Sequence, residues 1–207
     1  MEIAKGSRKR TDGPVVSGAA PDWFRQYFIL ERDASQIFDL NLNVVAGLLQ
    51  TPDYARAILR VGRHNMDIDK LVEARMSRKL VLEREDPLQY WGVIHESAFH
   101  RVIGGRKVMA EQLNYLVEAA EADNVTLQVI PNSAGAHASI NTCFLILRFN
   151  IAPQFGVVHI ENLRSLFYDA PQVVQEYDDT FRRVIMSALP QKESVELIAK
   201  LRKDLYS

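Results

Sequence analysis

Two pairs of ionisable residues have a spacing that suits proton chemistry. His95-Glu96 follow a run of strand formers, Leu88 to Ile94, and open a short helical stretch, Glu96 to Val102. A strand end that meets a helix N-terminus exposes side chains and backbone N–H groups to a cavity. In such a place Glu96 would act as an acid or base if burial raised its pKa. The competing reading is an ordinary first-turn carboxylate favoured by the helix dipole. His159 and Glu161 alternate with Val158 and Ile160, so on a strand they share one face. That face is either solvent or the polar wall of a pocket; in the second case the two form a proton-transfer pair. The catalytic candidates are therefore Glu96, His95, His159 and Glu161.

A binding surface would be built from other segments. The loop Ser133 to Ser139 holds small residues around Gly135 and His137, and small residues let a backbone approach a ligand closely; a plain connector is the alternative. Tyr90, Trp91, Phe99, Phe144 and Tyr168 would line an apolar cavity, or each is core, and His137 and Asn141 are further ligand-binding candidates. There is no P-loop, GxGxxG, HExxH or GxSxG, so ATP, dinucleotide and zinc-protease chemistry are poor fits and no cofactor is expected. His64, Asp67 and Asp69 read as a solvated loop rather than metal ligands, and no metal is expected. The lone Cys143, in an apolar run, reads as a small buried hydrophobe.

These residues need a scaffold, and the chain is long enough to supply one. Its 207 residues, 47% apolar, can bury a core without disulfides. Lys and Arg total 25 against 26 Asp and Glu, which gives no basic footprint for nucleic acid. No apolar run spans a bilayer and no signal peptide is evident, which implies the cytoplasm. Residues 1–20, with Lys5, Arg8, Lys9 and Arg10, read as a disordered basic arm, and 21–207 as one ligand-pocket domain.

Asp22 caps a helix through Ala34 that buries Trp23, and Ser35 to Gln50 reads as an extended, part-buried segment. Thr51-Pro52 starts a helix that runs to about Gly62, and Asp67 or Asp69 opens another. Lys107 to Ala122 is amphipathic. Strands are expected at Val125 to Ile130, Cys143 to Phe149, Gly156 to Glu161 and Ser165 to Tyr168, followed by helices at Gln172 to Leu189 and Ser194 to Leu205. Short gaps favour hairpins. The fold class is α+β: a small antiparallel sheet packed with several amphipathic helices.

The run Gly47-Leu48-Leu49-Gln50-Thr51-Pro52-Asp53-Tyr54-Ala55-Arg56-Ala57 resembles the GLLQTPxYARA signature of an actinobacterial domain of unknown function. That domain lies C-terminal to XRE-type helix-turn-helix regulators, antitoxin-like ones among them. Trp23-Phe24, Leu30-Glu31, Ala74-Arg75 with Arg78, Gln112-Leu113, Val129-Ile130-Pro131 and Ala134 to His137 are similar to further parts of it. Departures are Ala46 for a proline and His95-Glu96 for an Asp-Glu pair. Only about 20 residues precede Trp23, too few for a DNA-reading module. The resemblance implies recognition of a small molecule or partner, without direct DNA binding.

Two functional expectations follow. One is a cofactor-independent cyclase or isomerase in specialised metabolism, acting on an apolar polyketide-like substrate held in a near-reactive shape. The other is a non-catalytic metabolite-sensing or antitoxin-like domain. A third reading is a structural subunit that dimerises through its helices.

Overall fold

The computed structural model describes residues 22–62, 67–150, 155–161 and 165–207; the basic arm, the Trp23 side chain and His64 lie outside them. Helix α1 (Asp22–Asp33) leads into strand β1 (Gln36–Asn41). A 3-10 turn at Gly47–Leu49 is followed by α2 (Pro52–Gly62) and α3 (Ile68–Ser77), the latter capped by Asp67, which accepts from the Lys70 N–H at 3.2 Å. Strand β2 (Gln89–His95), the short α4 (Ser97–His100), α5 (Arg106–Ala119) and β3 (Val125–Ile130) come next. The chain then makes β4 (Phe144–Arg148), β5 (Gly156–Glu161), β6 (Ser165–Tyr168), α6 (Pro171–Ile185) and α7 (Gln191–Tyr206).

The α+β class holds, but the sheet is mixed rather than antiparallel. Its order is β3-β2-β1-β4-β5-β6. β1, β2 and β3 run parallel, whereas β1, β4, β5 and β6 are antiparallel neighbours. The reason is connectivity. Helices separate the first three strands, and a helical crossover returns the chain in the same direction. The short gaps that predict hairpins govern only β4 to β6. The extended segment 35–50 contributes one true strand, Gln36–Asn41, and it sits at the centre of the sheet.

The two sheet faces carry separate cores. One face carries Ile37, Tyr90, Val125, Leu127, Leu147 and Val157, which form one cluster with the fully buried Met109, Leu113 and Leu116 of α5 and Ile198 of α7. The other presents Leu40, Val93, Phe144, Ile146 and Val158 to α6, through Val174, Phe181 and Val184. The outer edge of β3 is closed. The Leu189 N–H donates to the Val129 carbonyl at 2.8 Å, and the Val129 N–H donates to Ser194 Oγ at 2.9 Å. Gln191 Nε2 also reaches the Val125 carbonyl. No helix among the described residues is long and apolar enough to cross a membrane.

Candidate functional site

At the carboxyl end of β1 the parallel half of the sheet meets the antiparallel half. In open α/β sheets such a change of strand order leaves a crevice outside the strand ends. Here it opens as a cavity of about 360 Å³ between the sheet and the segment carrying the 3-10 turn, α2 and α3. Ile37, Leu48, Leu59, Leu71 and Phe144 give it an apolar body, and Asp39, Asn41, Gln50, Arg75, His159 and Glu161 give it polar points.

Asp39 is the group the sequence reading did not single out. It is 9% exposed and faces the cavity from the middle of β1. Its Oδ2 accepts from the Tyr90 hydroxyl at 2.8 Å, and its Oδ1 from Asn41 Nδ2 at 2.7 Å. Burial pushes its carboxyl up to about 6, against which the two hydrogen bonds work. Gly92 lies directly opposite Asp39 on β2. A Cβ there would sit 2.7 Å from the Tyr90 ring, so the glycine leaves the space through which the ring leans to reach Asp39. Gly92→Ala is expected to destabilise the fold by ~1–3 kcal/mol through overpacking. It should also raise the pKa of Asp39 in an NMR titration, because the Tyr90 donor that favours the carboxylate is displaced; an unchanged titration and unchanged melting would refute the role given to Gly92.

Next to Asp39 lies a buried ion pair. Arg78 Nε and Nη2 donate to the two Glu31 oxygens at 2.6 and 2.7 Å, the fork geometry that favours arginine over lysine. Tyr27 completes it: its hydroxyl donates to Glu31 at 2.6 Å and accepts from Arg78 Nη2 at 3.2 Å. Arg78 and Glu31 are 6% and 1% exposed. Opposing charge at such range holds the guanidinium firmly protonated despite burial.

The GLLQTP run arranges this wall. A Cβ on Gly47 would stand 3.3 Å from Arg78 Nη2, so the glycine lets the guanidinium pass. Gln50 donates to the Val45 carbonyl and accepts from Arg75 Nη1, both at 2.7 Å. Gln112 of α5 holds the next turn from behind, accepting from the Thr51 N–H and donating to the Leu49 carbonyl, both at 2.7 Å. Gly47, Leu48, Gln50, Arg75 and Arg78 all line the cavity. Five of the residues that carry the resemblance therefore line the pocket, and Glu31, Thr51 and Gln112 hold those five or the turn beside them.

The sequence candidates divide into two places. His159, Glu161 and Phe144 line the cavity, and Tyr90 reaches it through Asp39. His159 is 3% exposed; its ring stacks on Phe167 and packs at a tilt against Tyr27, each with centroids 4.7 Å apart. Its Nε2 meets Ser165 Oγ at 3.1 Å. Burial, helped by Arg78, drops its pKa to about 4, so the imidazole is neutral and a weak base. Trp91 points to the opposite face, where its indole N–H donates to Gln128 and its ring packs on Phe38 and Phe181. Tyr168 and Asn141 are exposed and do not line the cavity.

His95 and His137 stack at 5.8 Å beyond the end of β2, outside the cavity lining. Burial lowers the pKa of both rings, and for His137 the neighbouring His95 adds to it. The Glu96 carboxylate accepts from the Asn132 N–H at 2.6 Å and pairs with His100 at 3.2 Å, which ties it to the loop after β3. Cys143 lines the cavity and accepts from the Leu42 N–H at 3.3 Å. No group of three His, Cys, Asp or Glu suited to a metal occurs among the described residues.

Asp39 lies between Phe38 and Leu40, and a polar residue inside an apolar strand run is the signal that could have found it. Against known families, the model of a domain of unknown function, DUF5753, matches residues 24–200. No curated protein matches the chain.

Proposed function

The chain belongs to the DUF5753 family, and we propose that it binds an apolar small molecule in the Asp39 cavity and rearranges it without a cofactor, by ring closure or isomerisation. The observation that carries this reading is a buried carboxyl on the wall of a mainly apolar cavity, held by Tyr90 and Asn41 and titrating at about 6. A group with a pKa near working pH both gives and takes protons efficiently. The cavity size suits holding a small flexible substrate in a near-reactive conformation, which supplies much of the rate in such reactions. The work is done in the cytoplasm. Glu161 and neutral His159 shape the field beside the carboxyl rather than moving the proton.

The test uses purified protein and an extract of a strain that lacks the gene, followed by liquid chromatography and mass spectrometry. A product of unchanged mass should accumulate beyond one equivalent of protein. Asp39→Asn should slow it by ~10²-fold or more, whereas Glu96→Gln should leave it nearly unchanged. A compound that binds and is recovered unchanged would end the catalytic reading.

The second reading is a non-catalytic sensor, antitoxin-like and derived from a regulator. It is favoured by α1, which supplies Tyr27 to the cavity wall and Glu31 to the Arg78 pair. Occupancy of the pocket would thus be felt by the first helix of the domain, a suitable output for a sensing module.

A further inference from the structure

We propose that the ligand carries a protonated amine on its apolar body and that this ammonium group seats on the Asp39 carboxylate. The inference rests on the pocket reading above and narrows it to a chemical class.

The charges of the wall decide the sign. Arg78 is matched by Glu31, so it offers a ligand little net field. Arg75 donates to Gln50 and has a further partner; its guanidinium keeps its charge but stands on α3, across the cavity from the sheet face that carries Asp39. His159 is buried, stacked and neutral. Two carboxyl side chains then remain on the same sheet face, Asp39 on β1 and Glu161 on β5, and neither is in an ion pair among the described residues.

Asp39 also has unused capacity. A carboxylate accepts at about four lone-pair positions, and Tyr90 and Asn41 occupy two. An isolated buried carboxylate protonates rather than keeping its charge. On the sheet face an anionic ligand would meet two carboxylates, and an uncharged one would leave Asp39 to be neutralised by a proton. An ammonium group satisfies the free acceptor positions and supplies the missing counter-charge in one contact, which is the strong form of hydrogen bond. The alkyl walls at Ile37, Leu48, Leu59 and Leu71 take up the body of the molecule.

The experiment compares three probes of one shape on the full chain at neutral pH: cyclohexylmethylamine, cyclohexylmethanol and cyclohexanecarboxylate. Binding is read from amide shifts in nitrogen–proton NMR spectra. The amine should bind at least tenfold tighter than the alcohol and move the signals of Asp39, Asn41 and Leu145. Asp39→Asn should erase that tenfold preference and leave alcohol binding as it was. Glu96→Gln, outside the cavity lining, should retain the preference in full. If alcohol or carboxylate binds as tightly as the amine, the amine assignment falls and the pocket reading stands. If the preference survives Asp39→Asn, the seat is elsewhere and the proposal is overturned. If none of the three binds to the folded protein, the proposal and the pocket reading fall together.

Discussion

Glu31→Gln is expected to cost the fold about 3–5 kcal/mol, the largest loss from any single isosteric change near the pocket. Arg78 would stay buried with its guanidinium charged and its forked partner gone. The side chain is 6% exposed, so water cannot replace what Glu31 supplies. Tyr27 would lose its charge-assisted acceptor in the same step. Replacing both members, Glu31→Leu with Arg78→Met, should recover most of the loss, because two apolar groups of similar volume need no counter-charge. Denaturant unfolding of wild type, Glu31→Gln and the double variant measures this directly. A loss below about 1 kcal/mol for Glu31→Gln would mean that the pair behaves like a surface salt bridge, and the account of the wall would be wrong.

The second large effect is hidden in the wild-type protein. Asp39 titrates at about 6 when folded, against about 3.9 for an unfolded chain. Between those values the folded state holds the extra proton, so this group's contribution falls as pH rises, by ~3 kcal/mol in all. His159 titrates at about 4 when folded, against about 6.5 unfolded. Here the unfolded chain holds the extra proton, so stability rises with pH over nearly the same window, also by ~3 kcal/mol. The two terms oppose each other and nearly cancel.

Asp39→Asn should therefore expose the histidine alone. Unfolding free energy should climb by ~3 kcal/mol between pH 4 and 7 relative to wild type, and the variant should be the more stable protein at neutral pH. His159→Phe keeps the ring contacts with Tyr27 and Phe167 and should show the opposite slope, falling as pH rises. Denaturant curves at pH 4, 5, 6 and 7 for the three proteins decide the matter. Parallel profiles would show that neither group is as buried as described. A carboxyl whose removal stabilises the fold is also what a residue retained for function would look like.

Much of this architecture was readable residue by residue. Thr51-Pro52 marks a helix start, and α2 begins at Pro52. The alternation of His159 and Glu161 put both on one face, and both line the cavity. Val125 to Ile130 was read with its observed bounds. What local pattern could not supply was pairing over distance. Glu31 and Arg78 are 47 residues apart, and nothing in either segment marks them as partners. Asp39 looked like one more polar residue in an awkward segment, because its burial depends on β1 being central, which depends in turn on crossovers. Trp91 illustrates the converse: its strand was correct, but which sheet face holds the cavity follows from the helices packed there.

The closed edge of β3 has a consequence for association. With Leu189, Gln191 and Ser194 occupying that side, the described sheet has a single free border, at β6. A filament built by strand addition needs two free borders on every unit. Two copies meeting through β6 would leave none, so edge-to-edge growth of this protein stops at a pair.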